Sequence, residues 1–174
     1  VGAGIDGVED LKGKKIALGD VGSTSRHLSP VQVLADLGVN PGKDVQIMHI
    51  NRNVAVEAMK RGDVAAIGIN RTDLPGLAKR FPDLAFKVIA RGRDLPNDVL
   101  LAGAHVSDDV VAKMKKVFTE NSDALIAAVL LGPDENQKFQ GMRFIPSIAD
   151  KDYNYIRKMY ATIGQPQYAD FVGN

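Results

Sequence analysis

A chain of 174 residues that is 45% apolar holds enough core-forming side chains for one ordinary domain or two small lobes. Its 22 Lys and Arg against 21 Asp and Glu leave a net charge of +1, which excludes the electrostatics of a nucleic-acid binder that must neutralise many phosphates. The absence of cysteine excludes disulfide staples, thiol nucleophiles and thiolate metal sites, and no apolar run approaches the roughly 20 residues needed to cross a bilayer. The chain begins at Val1 without Met and shows no signal-peptide pattern, so a processed or trimmed N-terminus is expected.

Over the first two thirds, short β-branched runs alternate with helix-like stretches, which predicts βαβ units and a mostly parallel sheet. Lys15 to Leu18 reads as a strand and Gly19 to Gly22 as a turn. A helix is expected from Thr24 to Leu37, with Pro30 marking a kink or restart after its first turn and Gly38 closing it. Val45 to Ile50 is the next strand; Asn51 then stands where a cap is wanted, before Val54, Ala55, Ala58 and Met59 recur on one helical face that stops at Gly62. Val64 to Ile69 is a nearly continuous apolar strand of the doubly buried kind, followed by Asn70 and a short helix from Arg71 to Arg80. Phe86 to Ala90 is expected as a fourth strand.

The pattern changes at the polar segment Arg93 to Pro96, which places a boundary between a ligand-binding α/β lobe, 1–95, and a second part, 96–174. That second part is expected to hold a returning strand at Asp98 to Ala102 and then helices. The first helix carries an apolar stripe of Val110, Val111, Met114, Val117 and Phe118, with Ser107 as its cap and Asp108 and Asp109 in its first turn. A second covers Asp123 to Leu131 and a third begins near Asp150 and runs through Tyr160. These helices carry more apolar surface than they bury on one another, so they are expected to rest on a sheet, part of it outside this chain.

The stretch that carries chemistry is Gly19-Asp20-Val21-Gly22-Ser23-Thr24-Ser25, between a strand and a helix. A helix start presents unpaired N–H groups and the positive end of its dipole, Gly22 permits close backbone approach, and three successive hydroxyls add donors that rotate to fit a tetrahedral oxyanion. The simpler alternative is that one hydroxyl caps the helix and the others are solvated. The run is neither a Walker A loop nor a dinucleotide fingerprint, because the Lys and the glycine spacing they require are missing.

The run Asp10-Leu11-Lys12-Gly13-Lys14-Lys15-Ile16-Ala17-Leu18-Gly19-Asp20 leading into Gly22-Ser23-Thr24-Ser25 resembles the PhnD-like periplasmic binding proteins for phosphonate, phosphite and phosphate. Pro96-Asn97-Asp98, and Phe144-Ile145-Pro146 with Asp150, Asp152, Tyr153 and Arg157, resemble later segments of the same family in the same order. The resemblance implies a periplasmic-binding-protein-like lobe, accompanied by C-terminal helices from a second lobe whose first half is not in this chain. It also implies that Ser23, Thr24 and Ser25 hold the oxygens of a small phosphorus oxyanion, and that a closing, extracytoplasmic receptor hands this ligand to an ABC permease in the membrane. A cleft lacking half a lobe is expected to bind weakly unless self-association or a further segment completes it.

Departures from the family pattern are Arg26 in place of a small residue, Arg52 in place of a frequent His, and Asn70 in place of a carboxylate that pairs with a ligand ammonium, with Arg71 next to it. They favour a plain anion over a zwitterion, although Asp73 remains as a carboxylate able to supply a counter-charge to a ligand cation. Each Arg falls early in a helix, where the dipole mildly disfavours a cation, so each needs an anion or a carboxylate such as Asp20 or Asp73 beside it. Arg26, Arg52 and Asn70 join the hydroxyl triplet as candidate ligand residues. No cofactor, metal site or catalytic residue is expected: His27, His49 and His105 lack ligand-pair spacing, although His27 lies near the anion loop, and no nucleophile elbow surrounds the serines. The alternative to an importer component is a periplasmic sensor or interaction module with an altered ligand site.

Overall fold

The computed structural model describes residues 4–170, apart from the side chains of Asp134 and Glu135. Contacts divide it into two compact units, one built from residues up to Leu95 together with those from Tyr153 on, the other Pro96–Asp152.

The first unit is built on strand β1, Lys15–Leu18, flanked by β2, Gln46–His49, and β3, Ala66–Ile67, all parallel and in the order β2-β1-β3. The period-two alternation of β1 decides which helix covers which face. Ile16 and Leu18 point into a core with Val31 and Leu34 of α1, Ser29–Asp36, whereas Ala17 faces Ala55, Ala58 and Met59 of α2, Arg52–Arg61. Covered on both sides, the central strand is buried from Ile16 to Leu18. α2 starts on Asn51, whose side chain accepts from the Asn53 N–H, and closes at Gly62. α3, Leu74–Arg80, follows a 3-10 turn over Arg71–Asp73.

The expected fourth strand, Phe86 to Ala90, is not one. Ile89 and Ala90 pack on one core cluster and Phe86 on the other, but the backbone of this segment makes no ladder bonds. β3 is itself paired over only two residues, in place of the six expected, and presents no length of edge for a further strand.

α6, Asn154–Thr162, packs on α1, so it belongs with the first unit; grouping by sequence alone sets it with residues 96–174. Met159 and Ile156 supply its buried face. A polar network rivets the seam: Asp36 of α1 receives Lys158 at 2.6 Å, Gln32 at 2.8 Å and the Tyr155 hydroxyl at 3.0 Å, while Thr162 donates to the buried Gln32 at 2.6 Å. Both ends of the buried Gln32 amide are thus partnered, as burial demands.

The second unit carries α4, Asp108–Glu120, and α5, Ser122–Leu130. Ser107 stands at the N-cap position of α4 without a side-chain cap bond. The Ser122 hydroxyl accepts the Phe144 N–H at 2.8 Å, and Phe118 meets Phe144 edge to face at 4.9 Å. The expected stripe of α4 is only partly used, because Val110, Met114 and Val117 remain exposed; no strand forms at Asp98 to Ala102.

Candidate functional site

Three parallel strands end side by side, and the segments leaving their carboxyl ends line an open cavity of about 370 Å³. Ser23, Ser25 and Arg26 line it after β1, Asn51, Arg52 and Asn53 after β2, and Asn70 and Asp73 after β3. In a sheet that winds outward both ways from its first strand, this crevice is where ligands bind.

The β1 loop is shaped by Gly22, whose φ of +87° is left-handed backbone that a side chain resists. Ser23 N donates to Asp20 O at 3.0 Å, closing the turn. The helix then opens with a wide π turn over Thr24–Leu28, in which both His27 N and Leu28 N reach the Ser23 carbonyl at 2.9 Å, before α1 continues it. Gly68 admits this turn against β3: a Cβ there would lie 2.7 Å from Leu18 Cδ2, 2.9 Å from Pro30 Cγ and 3.2 Å from the Arg26 carbonyl oxygen. At the mouth of the turn the N–H groups of Thr24 and Ser25 have no partner among the described residues. Ser23 Oγ accepts a long bond from Arg26 N at 3.4 Å, so one serine serves partly as a cap, while the exposed Ser25 hydroxyl is uncommitted. Thr24 does not line the cavity.

Both cavity arginines are compensated by carboxylates. Arg52 Nη1 lies 2.6 Å from Asp73 Oδ1, and Arg26 Nη2 lies 3.5 Å from Asp20 Oδ2. The wall therefore carries two guanidiniums and one carboxylate, with the carboxylate of Asp20 answering Arg26 from outside the wall. Arg71 is exposed and does not line the cavity. Asn70 Oδ1 is buried with no hydrogen-bond partner among the described residues, a costly state for a buried acceptor.

Two histidines distant in sequence meet behind the loop. The parallel register sets Leu18 beside His49, and the rings of His49 and His27 then pack edge to face, centroids 4.6 Å apart. Sequence separation hides this pair, and it hides Asn53 and Asn51 as cavity residues too. The one available signal was their place just after a strand. Burial, with a smaller contribution from neighbouring His49, holds the His27 imidazole below its ordinary pKa.

A doubly wound parallel sheet with one polar crevice at its strand ends defines a periplasmic-binding-protein-like α/β lobe. The chain belongs to the family of phosphonate ABC transporter periplasmic substrate-binding proteins, whose model matches residues 1–150. This is a family of solute-binding transport components, not of enzymes; its members work outside the cytoplasm with a small-molecule ligand and a membrane permease.

Proposed function

We propose that this cleft captures a small phosphorus oxyanion, namely phosphate, phosphite or a simple phosphonate, for delivery to the permease. The observation that carries the reading is the unpartnered N–H of Ser25, a residue that lines a cavity also holding Ser23, Asn70, Arg26 and Arg52, with the equally unpartnered Thr24 N–H next to it at the helix start. N–H groups at a helix start favour negative charge, and hydroxyl and guanidinium donors multiply the charge-assisted bonds a tetrahedral anion makes. Asp73 is engaged by Arg52 and is not available to a ligand ammonium, which supports a plain anion over an aminoalkyl zwitterion. Closure of lobes over such a ligand is the conformational signal that couples binding to transport.

A thermal-shift panel of phosphate, phosphite, methylphosphonate, aminoethylphosphonate and sulfate tests this. Ligand at about a hundred times its Kd stabilises the folded state by about 2.7 kcal/mol, a shift of several degrees for a chain of this size. Phosphorus anions are expected to raise Tm, aminoethylphosphonate no more than methylphosphonate. The absence of a shift with every anion contradicts the reading and favours a sensor or interaction module, in which the Arg26–Asp20 and Arg52–Asp73 pairs leave no cation for a ligand.

A further inference from the structure

We propose that His27 is a positioning residue of the anion loop, its unprotonated Nδ1 holding the Gly22 N–H so that the segment from Gly19 to Ser25 keeps its free N–H groups turned to the ligand. The inference rests on reading the cleft as an oxyanion site.

Gly22 N donates to His27 Nδ1 at 3.0 Å. A ring nitrogen that accepts carries no proton, so this bond fixes the Nε2–H tautomer. His49 grips the other end of the segment, where its Nδ1 lies 2.8 Å from the Gly19 carbonyl oxygen and must donate to it. Protonation breaks the His27 bond, because a protonated Nδ1 sets a second donor against the Gly22 N–H. Packing does not hold Gly22 in its stead: a Cβ placed there would meet no atom within 4 Å.

The charged and titratable surroundings leave His49 as the group that bears on His27. On its own turn, Arg26 pairs with Asp20. On α6, which packs against this turn, Lys158 and Tyr155 bond Asp36, Arg157 bonds Asn154 and Tyr160 stacks on Tyr168. β2 supplies His49, whose ring touches that of His27. His27 is 6% exposed, so a proton gained there must be accommodated by movement of the loop and not by water.

The test combines two readouts on the chain. Long-range imidazole NMR of ligand-free protein is expected to show His27 with a bare Nδ1 at neutral pH, and the Gly22 amide is expected to shift with the same midpoint as that ring. Methylphosphonate Kd is then measured from neutral pH down through the His27 midpoint that the ring signals give, for wild type, His27→Asn and His27→Leu. Asn Oδ1 stands as many bonds from Cα as Nδ1 and does not titrate. Relative to His27→Asn, wild type is expected to weaken by about tenfold per pH unit below the His27 midpoint, and His27→Leu to bind poorly throughout. Parallel pH profiles for wild type and His27→Asn overturn the proposal, as does a protonated Nδ1 at neutral pH. If methylphosphonate binds none of the three proteins, the oxyanion reading fails, and a Gly22 amide indifferent to the His27 titration then removes the positioning role separately.

Discussion

Ser23 and Ser25 line the same cavity, but the structure gives them different second duties, so their alanine variants should separate binding from stability. Ser25 Oγ makes no bond among the described residues and the residue is exposed, so Ser25→Ala removes only what the hydroxyl gives a ligand. A hydrogen bond to a charged partner is worth about 1.5–3 kcal/mol, which converts to a loss of roughly 10- to 150-fold in affinity with Tm unchanged. Ser23 Oγ also accepts from Arg26 N, at 3.4 Å, so Ser23→Ala should lose comparable affinity and, in addition, somewhat under 1 kcal/mol of stability, since so long a cap bond falls at the weak end of the usual range. Isothermal titration with methylphosphonate and thermal melts without ligand measure the two quantities independently. Should Ser25→Ala bind as wild type does, the ligand does not sit at the helix start and the reasoning fails.

Asn70→Leu replaces an amide whose Oδ1 is buried and unpartnered, and is expected to raise Tm by roughly 3 °C, the equivalent of about 1 kcal/mol, while ligand affinity falls; melts paired with titration calorimetry read both. Gly68→Ala thrusts a methyl to within 2.7 Å of Leu18 and toward the Arg26 carbonyl, which accepts the Gly19 N–H, so a loss of about 2 kcal/mol and a distorted loop are expected in urea unfolding and binding assays. Asp36 is held below its ordinary carboxylate pKa, first by the bond from Lys158 and then by those from Gln32 and Tyr155. With the folded-state value depressed, its stabilisation is present above the unfolded value of 3.8 and disappears as pH falls through the folded one. Asp36→Asn should therefore melt lower than wild type at neutral pH, by about 1 kcal/mol for so partly exposed a pair, and the gap should close in acid.

What sequence reveals here is whatever depends on neighbours a few residues away. The strand at Lys15, the turn from Gly19 to Gly22 and the caps at Asn51 and Gly62 follow from local period and backbone chemistry, and all are present. The need of Arg26 and Arg52 for carboxylates is equally local, because a cation early in a helix opposes the dipole, and Asp20 and Asp73 meet it. Strand length is different, since a ladder needs a partner of matching length. Nothing within Val64 to Ile69 says that only Ala66 and Ile67 will pair, nor does Phe86 to Ala90 announce that no edge awaits it. The π turn at Thr24, the absence of Thr24 from the cavity wall and the meeting of His27 with His49 depend likewise on tertiary packing. The stripe on α4 was visible from its spacing, whereas its continued exposure at Met114 is a property of the packed unit.

The most direct test follows backbone amide signals of isotope-labelled protein during titration with methylphosphonate. Saturable shifts concentrated at Thr24 and Ser25, with further movement at Arg52 and the Asn70 side-chain amide, are the predicted result. Saturable shifts that leave Thr24 and Ser25 unmoved would contradict it.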